Sequence, residues 1–189
     1  MEDDQLVRMI QNGSRDAFDL LYERYKNQAM RSMYLITNSR YDCEDIVQEA
    51  FVKSYLHIGE LTDVTQFKSW FFQILYRTAW HYIKKNKKEA PTEEIAEYLN
   101  DSKLPSSLDE VIKSETNKVL RHEIENLDVK HRSVVVLYYY NELSVAEIAK
   151  IVGCFEGTVK SRLANARRKL RDSLKEEDMN NITYLRRAQ

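Results

Sequence analysis

The stretch from Ser144 to Arg171 leaves the chain few folds. Ser144 and Glu147 form the S-x-x-E pattern in which a hydroxyl and a carboxylate satisfy backbone N–H groups left free at a helix start. Val145, Ile148, Ala149 and Val152 follow at helical spacing, and Gly153 stands where a left-handed C-terminal cap is wanted. A second helix is predicted from near Phe155, with Val159, Leu163, Ala166 and Leu170 on one inward face. The opposite face carries Gly157, Ser161, Ala164, Asn165 and Arg168, flanked by Lys160 and Arg162. From Glu156 to Arg171 there are six basic residues against one acidic. A charge run is often no more than a solvated face. On the second helix of a capped helix-turn-helix it suits the major groove: Lys160, Arg162 and the 167–171 cluster hold phosphates, while Ser161 and Asn165 face base edges.

The rest of the chain extends this helical pattern. Four glycines and two prolines in 189 residues are too few for the turns of an all-β fold, and 43% hydrophobic residues suffice for real cores. An all-α protein of two small domains is expected. The net charge of −1 does not point to nucleic acid, but its distribution does. The C-terminal helix is basic, whereas residues 87–116 hold eight acidic against four basic side chains. The N-terminus MEDDQLVRMIQNGS reads as neither a signal nor a transit peptide and no apolar run is long enough to span a membrane, so a cytoplasmic chain is expected. Cys43 and Cys154 lack metal-ligand spacing and read as small apolar residues in reducing surroundings. No metal and no cofactor is called for. The chain shows no nucleophile–base pair and no glycine-rich phosphate loop, so it is not expected to be an enzyme.

Four segments precede the helix-turn-helix. After the turn Asn12-Gly13-Ser14, Phe18, Leu21, Tyr22, Tyr25 and Ala29 recur at core-facing spacing. Thr37-Asn38-Ser39 breaks that helix, and Asp42 is expected to cap the next, with Tyr41 and Ile46 as a hydrophobic staple. In DCEDIVQEAFVKSYLHI, Ile46, Val47, Ala50 and Tyr55 are expected inward, and Asp45, Gln48, Glu49 and Val52 form an outward strip mixing acid, amide and apolar side chains. Acids favouring a helix N-terminus explain Glu44 and Asp45 but not Gln48 and Glu49. Residues 57–66 read as a loop. The helix FKSWFFQILYRTAWHYIKKNKK then places Phe67, Trp70, Phe71, Ile74 and Leu75 in a core stripe. Trp80, among Arg77, His81, Lys84 and Lys85, stays open between closing the core and stacking on unpaired nucleotides.

The expected division is a first domain at 1–88, an acidic flexible linker at 89–106 with a helical turn after Pro91, a second domain at 107–178 and a tail at 179–189. Ser107 is expected to cap a helix carrying Leu108, Val111, Ile112, Val119 and Leu120. By propensity SVVVLYYY would be a strand. With Asp128 as a cap and a helix-turn-helix directly after it, a helix from Val129 to Tyr140 is expected instead.

Three blocks together resemble the extracytoplasmic-function (ECF) type of bacterial RNA polymerase sigma factors of the sigma-70 family: DCEDIVQEAF at 42–51, FKSWFFQILYRTAWHYIKK at 67–85 and LSVAEIAKIVGCFEGTVKSRLANARRKLR at 143–171. The resemblance covers nearly the whole chain. It implies a factor that binds core polymerase and directs promoter-specific initiation. It places Asp45, Gln48, Glu49 and Phe51 against the β′ clamp helices, with the β flap as a further polymerase contact. It places Thr62, Asp63, Thr65, Gln66, Arg77, His81, Lys84 and Lys85 at the −10 element, where a base flipped from the non-template strand is captured. Thr158, Lys160, Ser161, Arg162, Ala164, Asn165 and Arg168 fall at the −35 element, and the linker would thread toward the RNA channel. It also implies an anti-sigma partner, commonly membrane-anchored. The sequence departs from the family pattern at Arg77 and His81, where Asn and Asp are usual, at Cys154-Phe155 in place of Ile-Pro, and at Asn165 in place of Arg. These departures bear on promoter choice. The rival readings are a stand-alone helix-turn-helix regulator, which would bind duplex DNA tightly without polymerase, and an interaction module, which needs no basic recognition helix.

Overall fold

Short-range capping marks where α-helices begin at residues 3, 15, 40, 129 and 145. The structure, a computed structural model, describes residues 1–89 and 115–173, without the side chains at 40, 41, 85–89 and 115–119. Among the described residues every regular element is helical. The linker at 89–106 lies outside them apart from Glu89, as do Ser107, the 108–112 apolar positions and the tail at 179–189.

The first half is a four-helix unit. Helix α1 (Asp3–Gln11) went unread in the sequence; its Leu6, Val7 and Ile10 are buried, and the Gln11 side-chain amide donates to the carbonyls of Ile58 and Leu61 at 2.9 Å each. Helix α2 (Arg15–Thr37) is capped by Ser14, as the turn there predicts, and buries Leu21, Tyr25, Ala29, Met33 and Ile36. Helix α3 (Arg40–His57) is capped by Ser39, whose Oγ accepts the Asp42 N–H at 3.3 Å, and not by Asp42. Asn38 takes a left-handed conformation (φ 60°) and completes the break in one residue, so the helix restarts earlier than the sequence implied. The side chain of Tyr41, half of the expected staple, lies outside the described residues.

The inward face of α3 is Ile46, Val47, Ala50, Phe51 and Ser54, not Tyr55, which is 42% exposed. Ser54 enters the core because its Oγ donates to the Ala50 carbonyl at 2.7 Å, and Tyr55 lies about 100° further round. The 57–66 segment contains two short 3₁₀ turns, Ile58–Glu60 and Val64–Gln66. Helix α4 (Phe67–Glu89) contributes Phe67, Phe71, Phe72 and Leu75 to the core, and Phe71 sits 4.7 Å from Phe51 and 5.7 Å from Tyr25 between ring centroids. Trp70 and Ile74 pack at its half-buried margin.

The second half is helix α5 (Glu115–Glu125), helix α6 (Val129–Val135) with a π turn at Val136–Tyr140, helix α7 (Val145–Val152) and helix α8 (Glu156–Ser173). The segment of strand propensity is helical, with Asp128 accepting the His131 N–H and Val134, Val135, Val136 and Leu137 buried. Burial on several sides outweighs propensity here. The π turn closes through the Asn141 N–H to the Val136 carbonyl at 3.0 Å. Ser144 and Glu147 make the predicted capping box, Gly153 the left-handed cap (φ 68°), and Val159, Leu163, Ala166 and Leu170 the buried face.

The two halves touch. Helix α2 packs on α5 and α6, and α4 packs on α7. Asn141 Nδ2 donates to Ser32 Oγ at 2.8 Å with both side chains fully buried. The Arg121 guanidinium lies 4.7 Å over the Tyr34 ring and also donates to its hydroxyl.

Candidate nucleic-acid and polymerase interface

Helix α3 presents two different surfaces. Gln48, Val52, Tyr55 and Leu56 line a groove of about 520 Å³ with Arg15, Phe18, Asp19 and Tyr22 of α2, and Phe51 contributes from beneath. Leu56 is 69% and Val52 54% exposed, so this face keeps apolar surface in water. Phe51 itself is 4% exposed and meets Phe18, Tyr22 and Phe71, so it shapes the groove from the core. Glu49 turns away from it. Its carboxylate pairs with Lys53 at 2.6 Å and bonds to the Tyr82 hydroxyl on α4, and the Lys53 hydrogen bond, helped by the Lys53 charge, Tyr82 and His81, outweighs burial and holds it below the usual carboxylate range. Asp45 also acts on Tyr82 and lies on that side. The predicted docking strip is thus divided: Gln48 and Val52 at the groove, Asp45 and Glu49 toward α4. Tyr22, Leu56 and Arg15 were missed, although the outward i, i+4 pair Val52–Leu56 was legible.

The loop before α4 exposes Thr62, Asp63, Thr65 and Gln66. Asp63 is committed locally, since its carboxylate accepts the Thr65 N–H at 3.1 Å and the Thr65 hydroxyl at 2.6 Å. The Gln11 bonds to the Ile58 and Leu61 carbonyls fix where this loop leaves the core. Thr62, Asp63 and Gln66 line one side of a cleft of about 250 Å³ with Trp70 and Gln73. Further along α4, Arg77, His81 and Lys84 are exposed, and the side chain of Lys85 lies outside the described residues. Trp80 is half-buried, stacked on Tyr76 (6.3 Å, 17°), with Lys84 Nζ 5.7 Å above its ring. Its ring thus packs on a neighbour of its own helix and meets a cation. Arg77, Trp80 and His81 line a second cleft, of about 300 Å³, with Lys130, Lys150 and Arg162 from the second half. Lys130 lies outside every motif, and Lys150 lies within the 143–171 block but off its recognition helix, so the sequence marked neither.

On α8, Lys160, Ser161, Ala164 and Arg168 are exposed on one face, with Thr158 and Asn165 half-buried beside them. Ser161 Oγ donates to the Thr158 carbonyl at 2.9 Å, and Asn165 Oδ1 accepts from Arg168 at 3.2 Å. Arg162 stands apart from them, at the cleft with Tyr76 and Arg77, and reaches Cys154 Sγ at 3.8 Å.

Comparison with known proteins matches this layout. The model of sigma-70 region 2 matches residues 21–89, and that of sigma-70 region 4 matches residues 118–170. The chain is 31% identical to the ECF RNA polymerase sigma factor SigW of Bacillus subtilis over 90% of this chain and 95% of that one. It is 30% identical to the ECF RNA polymerase sigma-E factor of Haemophilus influenzae, over 92% and 96% respectively. Among solved structures, the fold is similar to the sigma factor RpoE of Bartonella quintana (TM-score 0.65, 20% identity, 84% of this chain and 97% of that one). It is also similar to CnrH in its complex with the cytosolic domain of CnrY (TM-score 0.64, 21% identity, 89% and 94%). With regions 2 and 4 in order on one helical scaffold and full-length relatives at this identity, the chain belongs to the ECF RNA polymerase sigma factors of the sigma-70 family and serves promoter-specific transcription initiation, not stand-alone regulation.

Proposed function

We propose that the three surfaces divide the work of initiation: the α2–α3 groove docks core polymerase, the loop at 62–66 with α4 reads the −10 element, and α8 reads the −35 element. The observation that carries the reading is the groove. Leu56, Val52, Tyr55 and Tyr22 keep apolar area exposed around the polar Gln48, which is the composition of a protein-docking surface and not of a solvated helix face. Asp45 and Glu49 complete the polymerase contact from its edge, with Phe51 shaping it from the core.

On α4, cations and a stacked Trp80 suit an unpaired strand, whose phosphates meet Arg77, His81, Lys84 and Lys85 while bases meet aromatic faces. Thr62, Asp63, Thr65 and Gln66 offer the hydrogen-bonding groups that hold a flipped base. On α8, Lys160, Arg168 and Thr158 hold backbone phosphates, and Ser161, Ala164 and Asn165 face base edges. Arg162, at the domain boundary in this structure, joins them when the halves separate. The chain carries no catalytic step of its own, the chemistry belonging to the polymerase. The solved relative from Bartonella quintana holds an anti-sigma factor, which supports such a partner here. Among the described residues no helix is long and apolar enough to cross a membrane. A gel shift on promoter fragments with and without core polymerase tests the whole reading. Promoter-specific binding should require core, and tight duplex binding by the chain alone would overturn it.

A further inference from the structure

Phe155, at the start of α8, is a large apolar side chain left in water. It is 86% exposed and belongs neither to the core nor to the side chains packed against it. Its surroundings are not loose. The preceding helix α7 is seated on α4, where the Gln73 side-chain amide donates to the Lys150 carbonyl at 3.2 Å. The adjoining Cys154 is half-buried, with Arg162 reaching its Sγ at 3.8 Å. The Phe155 backbone is fixed as well, since its carbonyl accepts the N–H groups of Thr158 at 2.9 Å and Val159 at 3.1 Å. The ring is thus carried on a rigid helix start and projects into solvent. Two residues on, Gly157 has neither a left-handed backbone nor any atom within 4 Å of where a Cβ would stand. Nothing inside the chain requires glycine there, although glycine in a helix is unfavourable relative to alanine. Both residues point to a surface outside the chain that comes close to the tip of α8.

We infer that Phe155 is a specificity-determining residue of the −35 interface, its ring packing on the C5-methyl group of a thymine in the major groove. This rests on the assignment of α8 to the −35 element. The residues that lead a recognition helix are the ones that meet base edges. Here the exposed Phe155, Glu156 and Gly157 continue the exposed Lys160, Ser161 and Ala164 to the tip of the helix. The charge at that tip suits a base contact and not a phosphate contact. From Gly153 to Val159 there is no cation, and Glu156 is acidic, whereas Lys160 and Arg168 lie further along. Of the groups that base pairs present in the major groove, the thymine methyl is the apolar one. Against it the phenyl ring gains what it lacks in the free chain, an apolar surface from which water is excluded. Gly157, with no side chain beside the ring, lets the helix start come close enough. Phe155 stands where the family pattern has Pro, so the contact sets this chain's promoter preference apart.

The test uses polymerase holoenzyme assembled with the full chain, and promoter fragments that it selects from a library randomised over the −35 element. Each thymine of the selected element is replaced singly by uracil, which removes the methyl group and keeps every hydrogen-bonding group. Competition binding of the fragments is then measured. One such replacement should weaken binding about fourfold, the contribution of one buried methyl group. Phe155→Ala should weaken binding to the thymine form by a similar factor or more and no longer distinguish it from the uracil form. The two changes together then cost no more than Phe155→Ala alone. Phe155→Leu, which keeps an apolar side chain, should retain part of the discrimination. Circular dichroism and core-polymerase affinity of each variant should match the parent. A selected element without thymine, equal binding of thymine and uracil forms by the parent, or an equal uracil penalty in parent and Phe155→Ala overturns the contact. So does a Phe155→Ala chain that loses core affinity, which places the ring against polymerase instead. Lys160→Ala and Arg168→Ala check the underlying assignment. If both leave binding to the −35 element unchanged, α8 is not its reader; if they weaken it while the uracil penalty survives Phe155→Ala, only the methyl contact fails.

Discussion

Asn141, at the end of the π turn, donates to Ser32 in the middle of α2, and neither side chain has contact with water. The Ser32 hydroxyl itself donates a hydrogen bond to the Gln28 carbonyl at 2.7 Å, so it is used in both directions. A neutral bond of this kind contributes little net stability, but breaking it leaves a buried amide unpaired.

That asymmetry sets the first expectation. Ser32→Ala should destabilise the chain by about 1–3 kcal/mol, since it orphans the Asn141 amide. Asn141→Ala added to it should cost less than the sum of the two single changes. Urea unfolding of the four proteins measures the coupling, and strict additivity would mean that the bond does not join the two halves.

At the groove, Val52→Ser and Leu56→Ser should change stability by no more than about 0.5 kcal/mol, because both side chains are exposed. Each should weaken core-polymerase binding about tenfold, or ~1.4 kcal/mol. Gln48→Ala should act in the same direction. Fluorescence anisotropy of labelled chain with core enzyme measures it, and unchanged affinity would remove the groove from the docking surface.

For the −35 element, Asn165 is held by Arg168 in the free chain, so base reading requires that bond to yield. Asn165→Ala should alter preference at one base pair by roughly 1–3 kcal/mol. Arg168→Ala should instead weaken all sequences alike and lower the salt dependence. Competition binding of polymerase holoenzyme on single-base promoter variants separates the two. A uniform loss for Asn165→Ala would show that it only holds phosphate.

Asp128 ties the start of α6 to α8. Burial pushes its carboxyl up, but hydrogen bonds from the His131 side chain and N–H, the His131 charge and Lys169 outweigh it and bring the pKa down to about 2 from 3.8. A lowered folded-state value means that this stabilisation is present above pH ~3.8 and is lost as pH falls toward 2. Asp128→Ala should cost about 0.5–2 kcal/mol at neutral pH through the lost cap, and the cost should shrink over that acid window. Thermal melts from pH 7 to pH 2 follow it; a cost independent of pH would assign the loss to packing alone.

Much of the second half was legible because its determinants are neighbours in the chain. The Ser144–Glu147 box, Gly153, Asp128 and the 159/163/166/170 face each act within one or two helical turns, and each stands as read. The first half was harder. Whether α3 turns Ser54 or Tyr55 inward depends on α2 and α4, and α1 was missed because a nine-residue helix with acids at its start looks like a polar terminus until Leu6, Val7 and Ile10 meet a core. At the candidate site the residue types were readable, but their grouping was not: Glu49 left the groove for Tyr82, Arg162 left the α8 face for the cleft, and Lys130 and Lys150 joined it from outside the recognition helix.

By itself the sequence determined most of the helices after α1, the charge pattern along the chain and the family, since caps, periodicity and motif blocks are interactions of short reach written in consecutive residues. Only the tertiary structure decided how the parts face one another. Ser32 and Asn141 are 109 positions apart and Gln73 and Lys150 are 77 apart. No local preference couples positions so distant; burial of both partners in one contact does.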